Sequence, residues 1–196
     1  MYYDPEIFKI QSNNIVPKKG RILIAEPFLP GSYFNRAVIL LVAHSNKGTV
    51  GFIINKQTEL QVQNYIDDFP DFNSQVYMGG PVSTDSIYFI HTRGDLIPGS
   101  IQVLDNLFWG GDFEELKKMI GLGMIQSDEV RFFLGYSGWD AGQLDMEIKE
   151  NSWLVSNVNG TAVMRHLNMS SWVDFVKQVG KPYNLWVNYP ENPSLN

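Results

Sequence analysis

From Ala37 to Ala43 the chain is apolar at every position, Ala-Val-Ile-Leu-Leu-Val-Ala, between the polar ends Arg36 and His44. A half-buried strand would alternate, and a membrane span needs about 20 apolar residues, so a uniform run this short reads as a strand covered on both faces. Other β-rich runs stand around it: Arg21 to Ala25, Thr49 to Asn55, Gln75 to Met78, Ser86 to Thr92 and Ser100 to Leu104, separated by Gly, Pro and Asn turn signals. Ser45-Asn46-Lys47-Gly48 joins the apolar run to the Thr49 strand as a hairpin with a four-residue loop.

Helical periodicity appears later. Asp112 is placed to cap a helix with Phe113, Leu116, Met119 and Ile120 on its apolar stripe, stopped by Gly121 and Gly123. Ser171 is placed to cap a second, with Trp172, Phe175, Val176 and Val179 on one face and Gly180 at the exit. Between them, Glu129 to Tyr136 reads as a central strand that runs through Ser137-Gly138-Trp139 into a helix starting near Asp140. Strands first and helices later predict an α+β fold with amphipathic helices packed on a sheet. With 196 residues, no internal repeat and no Pro/Gly-rich linker, one domain spanning 1–196 is expected.

The formal net charge of -6 sets a repulsive field before polyanions, so direct binding of nucleic acid or anionic membrane has no electrostatic driver. Lys117-Lys118 lies beside Glu114 and Glu115, as on a mixed, solvated helix face. With no cysteine, disulfides and thiolate chemistry are excluded, and redox chemistry would need a bound cofactor, for which no motif is offered. Met1 to Gln11 carries Asp4 and Glu6 and no apolar h-region, which predicts a cytoplasmic protein without a secretory signal.

The most distinctive segment is Gly135-Tyr-Ser-Gly-Trp-Asp-Ala-Gly-Gln-Leu144, a glycine-rich strand-to-helix turn. Ser137, Asp145 and His166 follow the hydrolase order, yet a nucleophile elbow needs glycine two residues either side of the serine and Gly138 follows Ser137 directly. A structural reading is self-consistent: Asp140 as N-cap, Gln143 as the partner in a capping box, and Ala141, Leu144 and Ile148 facing inward. Glu147 then falls on the apolar side and must find a partner. Arg36 is the natural candidate for an ion pair, structural or catalytic.

His44 and His91 each end an apolar strand. Three ligands are usual for a metal, and no Asp, Glu or His stands at metal-site spacing around them, so no metal is expected. Gly79-Gly80 offers bare backbone N–H groups to a ligand, or simply makes a sharp turn. Because Arg36, His44, Asn55 and His91 lie at strand ends and Gly79, Gly80, Gly138, Trp139 and Gln143 in the turns beyond strands, these nine residues are expected to line a shallow pocket on one rim of the sheet.

Taken in order, Gly20-Arg-Ile-Leu-Ile-Ala-Glu-Pro-Phe-Leu29, Phe34-Asn-Arg-Ala-Val-Ile-Leu-Leu41, Gly48-Thr-Val-Gly-Phe-Ile-Ile-Asn55, Gly79-Gly-Pro-Val82, His91, Phe133-Leu-Gly-Tyr-Ser-Gly-Trp139, Gly142-Gln-Leu144 and Trp153 resemble the YqgE/AlgH family of bacterial proteins over roughly residues 20–156. The chain has Arg36-Ala37 where that family usually has Arg-Ser, and Ala43 where an acidic residue usually precedes the histidine. The resemblance implies a bifurcated, mostly antiparallel sheet curled into a pseudo-barrel with flanking helices, and a function that is unknown. One branch bears the label of a transcriptional regulator of alginate synthesis. No basic reading head accompanies that label here, so a non-enzymatic regulatory or binding module acting through a protein or small-molecule partner is expected, the alternative being a small-molecule-binding protein or hydrolase that uses the Gly135–Gln143 loop. Tyr183, Trp186 and Tyr189 near the end are either core cover or a partner surface.

Overall fold

The computed structural model describes residues 10–190, so most of the Met1–Gln11 stretch and residues 191–196 lie outside the described residues. The secondary structure is β1 (Arg21–Ala25), β2 (Val38–Ser45), β3 (Gly48–Ile53), β4 (Gln57–Gln61), β5 (Gln75–Met78), β6 (Val82–His91), β7 (Ile101–Leu104), β8 (Leu107–Trp109), α1 (Phe113–Gly121), β9 (Val130–Trp139), α2 (Gln143–Lys149), β10 (Trp153–Asn157), α3 (Gly160–Met164) and α4 (Ser171–Val179). The α+β class is as expected.

The strands form one sheet in the order β10-β1-β2-β3-β9-β6-β8-β7, all antiparallel along this path, with β4 and β5 branching from β9. β9 is the trunk. Its first half pairs in parallel with β5, Val76 against Phe132 and Met78 against Leu134, and its last residues pair with β3, Gly51 against Ser137 and Thr49 against Trp139. The main strand path ends at β10 and β7, which do not pair with each other, so hydrogen bonding does not close the sheet into a barrel.

Gly79 and Gly80 sit at the fork. Gly79 N–H donates to Leu134 O at 2.9 Å, while Gly79 O accepts from Ile53 N–H at 2.9 Å and from the buried Ser137 hydroxyl at 3.1 Å. A Cβ on Gly79 would overlap the Gly135 carbonyl, and one on Gly80, at φ 155°, would overlap the Tyr136 backbone. The pair lets two strand ends meet the trunk at one point.

β2 is covered on both faces, as its composition required. Val38, Leu40 and Val42 belong to one buried cluster with Ile22, Ile24, Phe52, Trp172, Phe175 and Val176, and Ala37, Ile39 and Leu41 to another with Leu144, Ile148, Trp139 and Trp153. α4 therefore roofs one face and α2 the other, each buried Leu, Ile or Phe contributing about 1.5–3 kcal/mol. Tyr183 and Trp186 join the α4 face and are core cover. A third cluster packs α1, through Leu116 and Ile120, against Val76, Phe89 and Phe132.

Local differences from expectation have physical causes. Ser45 pairs with Gly48, so the β2–β3 loop has two residues, Asn46 and Lys47; Gly48 takes φ 136° and its Cα lies against Trp139 O, where a Cβ would stand 2.7 Å away. α2 starts at Gln143 after a left-handed Gly142 at φ 75°, not at Asp140, although the back half of the capping box forms, Asp140 N–H donating to Gln143 Oε1 at 3.0 Å. α4 is entered from Ser170, because the Ser171 hydroxyl accepts from Asn168 N–H at 3.0 Å instead. α1 keeps its expected cap, Asp112 accepting from Glu115 N–H at 3.0 Å. No helix among the described residues is long and apolar enough to cross a membrane.

Candidate functional site

The nine residues expected on one rim do not meet. His44 pairs across β2–β3 with Thr49, which faces Trp139 at the end of β9, whereas His91 pairs with Val130 at its start. A ten-residue strand at about 3.3 Å per residue puts roughly 30 Å between those ends. Period-2 patterning identifies strand ends but carries no information on which ends adjoin.

Most of the nine hold the fold. Asn55, fully buried, accepts from Val38 N–H at 2.8 Å and donates to Arg36 O at 3.0 Å, pinning the start of β2. Arg36 donates to Tyr189 O at 2.6 Å and lies 4.9 Å from the Trp172 ring centroid, on the α4 face. Glu147 is on the opposite face, where its Oε2 accepts from the indole N–H groups of Trp139 at 2.8 Å and Trp153 at 2.7 Å and its Oε1 from Gln143 at 2.9 Å. The expected Arg36–Glu147 ion pair is therefore not formed: the sheet separates them, and the carboxylate is satisfied by indole donors instead.

His91 is fully buried. Nδ1 accepts from Arg93 N–H at 3.2 Å, which leaves the proton on Nε2, 3.0 Å from Gly110 O and 3.0 Å from the Ser100 hydroxyl. Burial pulls its pKa below the ordinary imidazole value, and hydrogen bonds to the Gly110 and Arg93 backbone only partly offset this. This is a neutral histidine tying two loops together. Among the described residues no cluster of three or more His, Asp or Glu is placed to hold a metal.

Two hollows remain. The smaller, about 190 Å³, is lined by His44, Thr49, Asp140, Gly142, Leu144 and Asp145. His44 Nδ1 lies 2.7 Å from the Thr49 hydroxyl there; of the nine residues expected on the rim His44 alone lines this hollow, Trp139 being the strand partner of Thr49 and Gln143 the residue between Gly142 and Leu144. Gly138 is exposed beside it in sequence.

The larger hollow, about 350 Å³, lies on the other branch, between β4–β5, the start of β9 and the exit of α3. Gln57, Gln61, Asn73, Gln75, Asp128 and His166 form its wall, with Ser74, Tyr77, Val130 and Arg131 beneath. Arg131 is 5% exposed and had no place in the sequence reading. Its guanidinium donates to Val163 O at 2.6 Å, Met164 O at 3.2 Å and Arg165 O at 2.6 Å, holding the carbonyl end of α3, and its Cζ lies 4.4 Å from the Tyr77 ring centroid. Desolvation draws its pKa down from the ordinary guanidinium value. Gln57 donates to the Tyr77 hydroxyl at 2.8 Å, which in turn donates to Leu167 O at 3.3 Å. A lone arginine inside the otherwise apolar Val130–Leu134 run was the available signal. Lys56, desolvated to a pKa of about 8, donates to Ser32 O at 2.8 Å and lines neither hollow.

Fold and hollows together define an α+β protein on a forked ten-stranded sheet with a polar cleft at one branch. The chain matches the AlgH-like family over residues 22–184 and belongs to it. It is 44% identical to a UPF0301 protein of Parabacteroides distasonis over 192 residues, 97% of each chain, and 43% identical to a UPF0301 protein of Bacteroides thetaiotaomicron over the full length of both. The solution structure of the AlgH protein from Pseudomonas aeruginosa is similar at 26% identity with a TM-score of 0.70, covering 88% of this chain and 94% of that one. A crystal structure of a Corynebacterium diphtheriae protein shares the fold at 23% identity and a TM-score of 0.71, covering 96% of this chain and all of the other.

Proposed function

We propose that this protein is a non-enzymatic binding or regulatory module of the cytoplasm, that its ligand enters the cleft over Arg131, and that it makes no direct contact with nucleic acid. The observation that carries the reading is the cleft: a polar concavity of about 350 Å³ floored by a buried guanidinium. The groups a hydrolase would need are apart and engaged. Ser137 is fully buried with its hydroxyl on Gly79 O, and the His166 ring contacts Gln57 in the other branch. In the basic doublet Lys118 pairs with Glu115 at 3.1 Å, in keeping with a mixed, solvated helix face. If the regulatory label of one branch extends to this chain, regulation runs through the bound ligand or a partner that senses it.

The full-length protein is expected to turn over no esterase, phosphatase or nucleotidase substrate above buffer and to retard no promoter fragment at about 150 mM salt. Turnover that Ser137→Ala or His166→Ala removes would install the hydrolase reading instead. Sequence-specific retardation lost on Lys117→Ala would defeat the exclusion of DNA.

A further inference from the structure

The cleft's charge narrows the ligand, an inference that rests on the binding reading above. Arg131 carries a full positive charge into a nearly dry site. The three carbonyls it touches satisfy N–H groups but bring no net charge, and among the described residues no carboxylate pairs with it. A buried cation without a counter-charge is costly, and the cleft it lines is where a counter-charge can arrive.

The neighbours are arranged to help. Gln61 on β4 pairs with Gln75 on β5, and the β5–β9 register that aligns Val76 with Phe132 sets Gln75 beside Arg131. Two carboxamides and a guanidinium therefore form one row across three strands, flanked by Asn73 and the Gln57–Tyr77 pair. Carboxamides donate and accept equally and suit a neutral polar body, while the guanidinium N–H groups that the three carbonyls leave over suit an oxygen of a carboxylate or phosphate. The volume admits roughly ten water-sized groups, so a bare ion does not fill it. We propose that the cleft binds an anionic polar ligand, its carboxylate or phosphate held at Arg131 and its neutral remainder by Gln57, Gln61, Asn73 and Gln75. Asp128 on the rim opposes the anion and limits affinity.

The test is an NMR titration of the ¹⁵N-labelled full chain with inorganic phosphate and, separately, with succinate, at ionic strength held constant with chloride. Saturable shifts of the side-chain amides of Gln57, Gln61, Asn73 and Gln75 are expected with at least one anion, and which anion acts decides between phosphate and carboxylate. Asp128→Asn, an exposed change, is expected to tighten binding about two- to five-fold by removing a like charge. Arg131→Gln is expected to abolish binding; should it fail to fold, the Asp128→Asn comparison decides alone. No saturable shift with either anion, or affinity indifferent to Asp128→Asn, overturns the inference. If only a neutral polyol such as sorbitol perturbs these amides, the anion inference falls while the binding reading stands.

Discussion

Replacing Glu147 by Ala is expected to lower stability by about 2 to 5 kcal/mol, because two buried indole N–H groups are left without an acceptor at about 1–3 kcal/mol each. Trp139 and Trp153 are 6% and 1% exposed, so water cannot replace the carboxylate without opening the face that α2 covers. Glu147 also joins three elements, the end of β9, α2 and β10, which share no other side-chain hydrogen bond among the described residues. Glu147→Gln keeps one oxygen for the indoles but turns an amide toward the Gln143 amide, and a loss of about half as much is expected. Urea unfolding followed by tryptophan emission reads both. A cost of Glu147→Ala below about 1 kcal/mol would mean that the indoles are not held by this carboxylate.

His91→Ala is expected to cost about 2 to 4 kcal/mol, from a cavity in the β6–β8 corner and from orphaned Gly110 O and Arg93 N–H. The stacked Phe108 ring, 5.8 Å away, and Phe89 lose their packing partner as well. The same burial gives a pH dependence whose sign follows from the lowered pKa. The unfolded chain binds a proton near pH 6.5 and the native state only at lower pH, so the stabilisation from neutral His91 is fully present above about 6.5 and is lost as pH falls through the lowered native value. Unfolding midpoints should therefore fall between pH 6.5 and 5 in the wild type and more weakly in His91→Ala. Equal slopes in the two proteins would show that His91 is not the titrating group.

What the sequence disclosed divides along local and non-local lines. β1, β5, α1, α4 and the doubly covered β2 are written in contiguous periodicity and caps, and each appears within a residue or two of its expected place. β4 and β8 were not legible because Gln-Thr-Glu-Leu-Gln carries no strand pattern and Leu107–Trp109 is too short to show one. β10 was missed although Trp153 was singled out, since a five-residue run becomes a strand only when β1 lies beside it. The need of Glu147 for a partner was legible from helical spacing. The identity of that partner was not, because one of the two indole donors stands on the unread β10. The cleft was invisible for the same reason: part of its wall is built from β4 residues and its floor from an arginine whose neighbours are set by the fork at β9.

The most direct test of the cleft as the binding site is NMR mapping of the full chain with a library of small polar fragments, read at the side-chain amides as well as the backbone. Fragments that bind are predicted to perturb Gln57, Gln61, Asn73 and Gln75 together and to leave the Asp140–Asp145 turn unchanged. Hits that gather instead around His44, Asp140 and Gly142 with the β4–β5 amides silent would contradict it.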